Sequence, residues 1–161
     1  MQGSARSSAS IAHALIRDGG AAALATLDAK GAPFASYVLT ASGADGSPTL
    51  LLSNLAVHSR NLARDTRASL LFVREPTAGS DAATALRLTL TGQASVDTNA
   101  ASRHLFLARH PDAAHYADFE DFAFYRFEIA AGLLIAGFGR IVDLTPAELL
   151  GRPAEASHET G

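Results

Sequence analysis

A succession of short apolar segments separated by turn sequences constrains the fold of this chain more than any other feature. Residues 86–91 read LRLTLT, the alternation of a strand that buries one face. The turns DAKG at 28–31 and ADGS at 44–47 each join two apolar segments, as consecutive hairpins do. Strands are predicted at residues 21–28, 33–42, 48–54, 67–73, 85–97 and 122–129, with further strand sequence at 133–135 and 141–144.

Three short helices are predicted between the strands, over residues 8–17, 58–65 and 99–109. Strands and helices do not alternate as they do in parallel βαβ folds, which argues against a Rossmann fold. So many antiparallel strands must hide their edges. We therefore predict a mainly β (α+β) fold, an antiparallel six-stranded split β-barrel with short peripheral helices. The domain is expected over residues 9–150, between disordered tails at 1–8 and 151–161.

Composition narrows the class of site. The chain of 161 residues has no cysteine, which excludes disulfides, thiolate metal sites and cysteine nucleophiles, and we predict no metal-ligand set. Its net charge of −3 argues against nucleic-acid binding. No apolar run approaches the ~20 residues that cross a bilayer. The expectation is a cytoplasmic protein that acts on a small molecule and contacts neither nucleic acid nor membrane.

The segment LLLSNLAVHSRNL, residues 50–62, carries the first candidate site. An apolar strand ends at Ser53 and Asn54, and a helix begins a few residues later. Free amides at a helix start, a hydroxyl and a guanidinium together suit a phosphate, so Ser59 and Arg60 are predicted to bind one. The alternative is that Ser59 only caps the helix and Arg60 is a solvated surface residue. Taken alone, the segment favours that alternative because serine caps are common.

The segment PFASYVLT, residues 33–40, carries the second candidate. Ser36 and Tyr37 lie on opposite faces of one strand, next to the strand that leads to Ser53. A barrel strand can offer backbone hydrogen bonds and an apolar wall to a flavin ring, which makes Ser36, Tyr37 and Val38 candidate contacts. The alternative, favoured when the segment is taken alone, is that Tyr37 packs in the core or at a dimer interface.

Together the two segments resemble the pyridoxamine 5′-phosphate oxidase-like family of FMN-binding split barrels. That family has a strand of the type P-x-x-R-x-V-L-L-K, then a strand ending T-N, then a helix opening S-R-K. The matching positions here are Pro33, Val38, Leu39, Ser53-Asn54 and Ser59-Arg60-Asn61. Ser36 takes the arginine position, Ala41 the first lysine position and Asn61 the lysine position of S-R-K.

The chain is more similar to the haem-utilisation branch of the same superfamily. The similar segments, in order, are LATLDAKGAPFASYV, LLLSNLAVHSRNL, LRLTLTGQA, YADFEDFAFYRFEI and AGFGRI. The resemblance implies a homodimer with cofactor sites at the interface, where the strand carrying Arg87 reaches from the second subunit. Some of these relatives bind haem through a histidine, so His104, His110, His115 and His158 are weighed as ligands, each more often a packed or solvated residue.

The function predicted from the sequence is an FMN-binding, flavin-dependent oxidoreductase of unknown substrate. The resemblance places the FMN phosphate at Ser59 and Arg60 and the ring along 36–38, with Ser53, Asn54, Asn61 and Arg87 as further contacts. No side chain is assigned a catalytic role, because the cofactor would carry the chemistry. Two alternatives stay open: a split barrel that binds haem or another tetrapyrrole without flavin turnover, and a degenerate barrel that acts through its dimer surface.

Overall fold

The computed structural model describes residues 7–137 and 139–151, and these form a single antiparallel sheet closed into a barrel. Its strands run in the order β3-β2-β1-β4-β5-β6-β7, and pairing of β3 with β6 closes a six-stranded barrel that leaves β7 as an added edge strand. The prediction of a mainly β six-stranded barrel is confirmed. The strands are β1 (Ala21–Leu27), β2 (Pro33–Ser42), β3 (Pro48–Ser53), β4 (Arg67–Arg74), β5 (Leu86–Val96), β6 (Phe122–Ile135) and β7 (Ile141–Leu144).

Within the described residues, four α-helices cover the barrel: α1 (Ser8–Gly19), α2 (Val57–Arg64), α3 (Ala100–Arg109) and α4 (Pro146–Leu149). The hydroxyl of Ser7 accepts from the Ser10 amide and starts α1, and Gly20 ends it with a φ of 68°. Ser7 and Ser8, expected in the tail, are therefore part of the folded domain. Gly151, expected in the other tail, donates its amide to the Asp45 carbonyl. The remaining tail residues, 1–6 and 152–161, lie outside the described residues.

The first hairpin forms because Asp28 organises its own turn. One Asp28 carboxylate oxygen accepts from the amides of Lys30 and Ala32, each at 2.8 Å, and Gly31 supplies the positive φ of 78° that the turn needs. The turn sets the register in which Leu27 faces Pro33.

The barrel interior is filled by the alternate residues of the strands and by one face of α1. Leu70 and Phe72 of β4 are buried, whereas Leu71 and Val73 between and after them are exposed, as the strand period requires. Each large apolar side chain buried in this way contributes about 1.5–3 kcal/mol to folding. The largest buried side chains are Phe72, Phe106, Phe127, Ile16, Leu24, Leu50, Leu70, Leu88, Leu90, Leu134, Leu149 and Asn61.

The ladder between β2 and β3 is short, and this determines where a ligand can enter. β2 pairs with β3 only from Thr40–Leu50 to Ser42–Pro48, although both strands continue past Thr40 and Leu50. Over that continuation β2 pairs only with β1, and β3 only with β6. The barrel wall is therefore split between β2 and β3, and α2 begins at the end of β3. Among the described residues, no helix is long and apolar enough to span a membrane.

Asp45 in the β2–β3 turn gives folding a specific pH dependence. Partial burial alone would raise the pKa of Asp45, but hydrogen bonds from Arg126, at 2.6 Å, and from Ser47 outweigh it and lower the pKa to about 2. A lowered folded pKa stabilises the protein above the unfolded value of 3.8, and this stabilisation is lost as the pH falls towards 2. We expect Asp45→Asn to cost about 1 kcal/mol at neutral pH, discounted because both side chains are partly exposed. In urea unfolding, the difference in unfolding free energy between wild type and Asp45→Asn should disappear between about pH 4 and 2. A difference that does not depend on pH would contradict this assignment.

Candidate functional site

A cleft lies in the split of the barrel wall. Its volume is about 320 Å³, and the walls come from β2, β3, the start of α2 and the segment between α3 and β6. The lining is mostly apolar and aromatic, which is typical of ligand sites that have a few polar groups for orientation. The lining residues are Tyr37, Val38, Leu39, Leu51, Leu52, Ser53, Ala56, His58, Tyr116 and Phe122.

His58 is the titratable side chain in this lining whose environment is most unusual. Its Nδ1 lies 3.1 Å from the Ser36 hydroxyl oxygen. Its Nε2 is buried and has no hydrogen-bond partner among the described residues. Burial lowers the pKa of His58, because the charged form is poorly solvated there. The imidazole is therefore held neutral at neutral pH, with one nitrogen engaged and the other unsatisfied.

The position of His58 follows from how α2 begins. The N-cap residue is Ala56, which has no side chain to bond the first amides, so no side chain caps this helix. The predicted capping role of Ser59 is therefore wrong: the N-cap lies three residues earlier, at Ala56, and Ser59 lies inside the first turn of the helix. This earlier start places His58 against the end of β2 and the cleft.

Two of the predicted cofactor contacts are instead buried on the face of α2 that packs against the barrel. The Ser59 side chain is 3% exposed, and its hydroxyl has no partner among the described residues. Asn61 is 1% exposed, and its amide donates to the Thr26 hydroxyl of β1 at 3.0 Å while its carbonyl accepts from Arg64 at 3.2 Å. Asn61 therefore joins α2 to the barrel instead of presenting its amide to a ligand, and its polar groups are satisfied internally.

The remaining predicted contacts of the 50–62 segment either form hydrogen bonds within the protein or are exposed to solvent. Ser53 lines the cleft, but its hydroxyl accepts from the Leu55 amide and donates to the Asp121 carboxylate. Asn54 is exposed, and its backbone N–H donates to the backbone carbonyl of Asp121. This hydrogen bond joins the β3–α2 loop to the segment before β6. Arg60 is exposed and forms no ion pair within the part of the chain described.

The predicted ring contacts on β2 lie beside the cleft. Tyr37 is 80% exposed on the outer face, and Val38 is buried among the core residues. Ser36 points to the opposite side from Tyr37, as predicted, and contacts His58. Arg87 lies on β5, with β1 and β4 between it and β2, and it donates to the Ala83 carbonyl at 3.2 Å. The structure thus brings Tyr37, Val38 and Ser53 together at one cleft, places Ser36 behind His58, and leaves Arg87 distant from the cleft within the same protomer.

Of the four histidines weighed as haem ligands from the sequence, the three that the structure describes do not line this cleft. His110 is engaged through Nε2 with the Thr40 carbonyl at 2.7 Å, and His104 and His115 are exposed. His158 lies outside the described residues. The described residues contain no group of three or more side chains suited to holding a metal ion.

His58 was not selected from the sequence, because the histidines weighed there as ligands all lie in the second half of the chain. The signal was present, since His58 directly precedes the predicted phosphate residues. Its partner Ser36 lies 22 positions earlier, and the strand alternation that puts Ser36 and Val38 on one face could have suggested the pair.

A closed antiparallel barrel with a ligand-sized cleft in its split defines a split-barrel protein, and comparisons with known proteins agree. A family model described as CREG, beta-barrel matches residues 3–150. The chain therefore belongs to the CREG β-barrel family. The resemblance to split barrels of the haem-utilisation branch is confirmed at the level of family and fold.

Three relatives indicate the range of similarity. The chloroplastic non-canonical heme oxygenase HOZ of Arabidopsis thaliana is 44% identical over 102 residues, which cover 62% of this chain and 30% of that protein. A heme binding protein from Mycobacterium smegmatis is 33% identical, with a TM-score of 0.80 over 90% of this chain and 61% of the other. HutZ, a heme storage protein from Vibrio cholerae, is 22% identical with a TM-score of 0.65 over 76% and 89%, which shows the shared fold alone.

Proposed function

We propose that this protein binds haem in the cleft between β2, β3 and α2, with His58 Nε2 as the iron ligand. The observation that carries the proposal is the buried, unpartnered Nε2 of a neutral histidine in the cleft lining. An unsatisfied buried nitrogen costs free energy, and coordination of a metal would satisfy it. Neutral imidazole is the usual protein ligand of haem iron.

The rest of the cleft fits a flat apolar ring system with an iron at its centre. Tyr116 and Phe122, whose ring centroids lie 4.9 Å apart, form one aromatic wall, and Leu51 and Leu52 contribute apolar surface from β3. These residues would bind and orient the macrocycle and exclude water from its faces. Bound haem would supply iron-centred redox and oxygen chemistry, which protein side chains lack.

The relatives support haem over flavin as the ligand. The plant relative is called a heme oxygenase and the mycobacterial structure a heme binding protein, and both are more than 30% identical to this chain. The chain spans only 30% and 61% of their lengths, respectively. These names support the proposal that the shared barrel of this chain binds haem.

The proposal is tested by titrating the purified protein with ferric haem and following the Soret absorbance. We expect saturation at one haem per chain with a band characteristic of a histidine ligand. Protoporphyrin IX without iron is the matched ligand control, and it should bind more weakly because it lacks the metal–imidazole bond. Equal affinity for the two ligands would remove iron coordination from the proposal.

FMN is the second candidate ligand, and one observation favours it: α2 begins beside the cleft without a side-chain cap, and Arg60 lies exposed in its first turn. Such a start can hold a phosphate through free amides and a guanidinium. Backbone groups along the unpaired edges of β2 and β3 could bond the flavin ring. An FMN-dependent oxidoreductase would use the same cleft, so the two ligands would compete.

Arg60→Ala tests this candidate. If FMN uses the start of α2, the variant should weaken FMN by roughly 10-fold in a flavin-fluorescence titration, because a charge-assisted hydrogen bond contributes about 1.5–3 kcal/mol. Arg74→Ala, at the end of β4, is the control because it removes an exposed arginine elsewhere. Equal FMN affinity in wild type and Arg60→Ala would remove Arg60 from the FMN site, and no FMN binding at all would leave haem as the ligand.

We also propose that the protein is a homodimer joined through the outer face of the sheet. Tyr37 of β2, Ala23 of β1, Leu71 of β4 and Thr89 of β5 lie side by side in register, and none carries a charge. Tyr37 and Leu71 are exposed on this face. A second copy would cover it and the adjoining side of the cleft, and Arg87, on the same face as Thr89, would lie at the seam.

Leu71→Glu is expected to convert the dimer to a monomer, because it places a charge in the middle of that apolar face. Sedimentation velocity measures the change. Val96→Glu is the control, since Val96 is 59% exposed at the far end of β5 and pairs with Tyr125 outside the row. A monomeric wild type, or a Leu71→Glu variant that remains a dimer, would contradict the interface.

A further inference from the structure

The hydrogen bond between Ser36 and His58 joins two elements that are distant in sequence. Ser36 lies in the half of β2 that has left the ladder with β3, and His58 is in the first turn of α2. The Ser36 oxygen and the His58 Nδ1 are 3.1 Å apart and partly buried. Ser36 itself is not among the residues that line the cleft, so it reaches a ligand there only through His58.

The direction of this hydrogen bond decides which His58 nitrogen carries the proton. If Nδ1–H donates to the Ser36 oxygen, then the buried Nε2 has a free lone pair. If the Ser36 hydroxyl donates to Nδ1, then Nε2 must carry the proton, and a buried N–H remains without an acceptor among the described residues. The Nδ1–H form leaves an acceptor unsatisfied, and a metal can use that acceptor.

We propose that Ser36 is a positioning residue that fixes the His58 ring in the Nδ1–H tautomer and so keeps the Nε2 lone pair free to accept a metal. The proposal deepens the haem assignment and rests on it for the identity of the ligand, but the tautomer is a property of the protein alone. Partners of this kind set the ring orientation and basicity of metal-binding histidines, and their removal typically costs about 10–100-fold in metal affinity. Ser36 thus acts through His58, in contrast to the direct flavin contact predicted from the sequence.

The tautomer is measured on the protein without added ligand, by nitrogen-15 NMR of the histidine rings. The His58 signals are assigned as those that disappear in His58→Ala. We expect the Nδ1–H form in wild type and a shift towards the Nε2–H form, which a solvated histidine side chain prefers, in Ser36→Ala. The Nε2–H form in wild type, or no change in Ser36→Ala, would overturn the proposal.

Two matched variants separate the hydroxyl from the space it occupies. Ser36→Thr keeps the hydroxyl and Ser36→Val replaces it with a methyl group of similar size, and both suit a strand. We expect Ser36→Thr to retain the wild-type tautomer and haem affinity, and Ser36→Val to match Ser36→Ala with about 10-fold weaker haem binding. Equal haem affinity for Ser36→Thr and Ser36→Val would contradict the role of the hydroxyl.

The two proposals fail in different ways. If haem does not bind to wild type, the functional proposal fails, while the tautomer measurement still decides the role of Ser36. If haem binding depends on His58 but the tautomer is unaffected in Ser36→Ala, then the ligand assignment stands and the role of Ser36 is wrong. The reduction potential of the bound haem gives a further readout. We expect it to be more positive in Ser36→Val than in wild type, because the imidazole becomes a weaker electron donor to the iron.

Discussion

Replacement of His58 with alanine is expected to reduce ferric haem affinity by at least about 100-fold and to change the Soret band. Loss of a residue that merely orients a metal ligand typically costs about 10–100-fold, so loss of the ligand itself should cost more. The fold should survive, because His58 is only partly buried and its one hydrogen bond is to Ser36. The measurement is a haem titration, with circular dichroism as the check on folding.

His104→Ala is the matched control for this experiment. His104 is an exposed histidine on α3 and does not line the cleft, so haem affinity should stay at the wild-type value. A His58→Ala protein that binds haem with an unchanged spectrum would show that another residue holds the iron. Retained affinity with an altered spectrum would keep His58 as the iron ligand but assign most of the binding free energy to the apolar walls, contrary to the expected loss of affinity.

Gly92→Ala is expected to destabilise the protein by about 3 kcal/mol, at the upper end of what overpacking usually costs. Gly92 of β5 pairs with Ile129, whereas Thr91 pairs with Ala131, so Ala130 is an extra residue that forms a bulge in β6. A Cβ atom at Gly92 would overlap the Glu128 carbonyl oxygen and lie 3.1 Å from the Phe127 ring. A backbone carbonyl in the central β5–β6 ladder cannot move aside cheaply.

Gly151→Ala separates this steric effect from the general cost of replacing a glycine. A Cβ atom at Gly151 meets no atom of the described residues within 4 Å. The free energy of unfolding of Gly151→Ala should therefore differ from that of wild type by less than about 0.5 kcal/mol. Both values are measured by urea unfolding. Similar small changes for the two variants would mean that the strands part easily at the bulge, contrary to the close packing described.

The barrel could be predicted from the sequence because its causes are local. Turn residues such as Asp28 and Gly31 set the first hairpin, and the leucine alternation in β5 sets which face is buried. A split barrel was predicted, but the position of the split between β2 and β3 was not, since β3 leaves β2 to pair with β6 about 75 residues later in the chain. Such long-range pairing leaves no pattern in either segment.

The structure places a cleft beside the 50–62 segment, and of the cofactor contacts predicted in that segment, Ser53 lines the cleft. The 50–62 segment does form the start of a helix beside a cleft, as its sequence indicates. The shift of the helix start from Ser59 to Ala56 turns the Ser59 hydroxyl into the interior and brings His58 to the cleft. A boundary error of three residues changes which side chains face the barrel, because each residue rotates the side-chain direction by about 100°.

The buried polar contacts under α2 explain why the charge expected for a phosphate site is absent there. Asn61 occupies the position where the flavin-binding pattern has a lysine, and it is used to join α2 to Thr26 of β1. A lysine would not fit at a position that is 1% exposed without a partner for its charge. The same residue therefore weakens the flavin assignment and stabilises the helix that carries His58.

A crystal structure of the protein with ferric haem tests the central claim most directly. The account predicts the macrocycle in the split between β2 and β3, with its iron bound to His58 Nε2 and His58 Nδ1 still against Ser36. Haem density at another surface, or iron held by a different residue with His58 turned away, would contradict it.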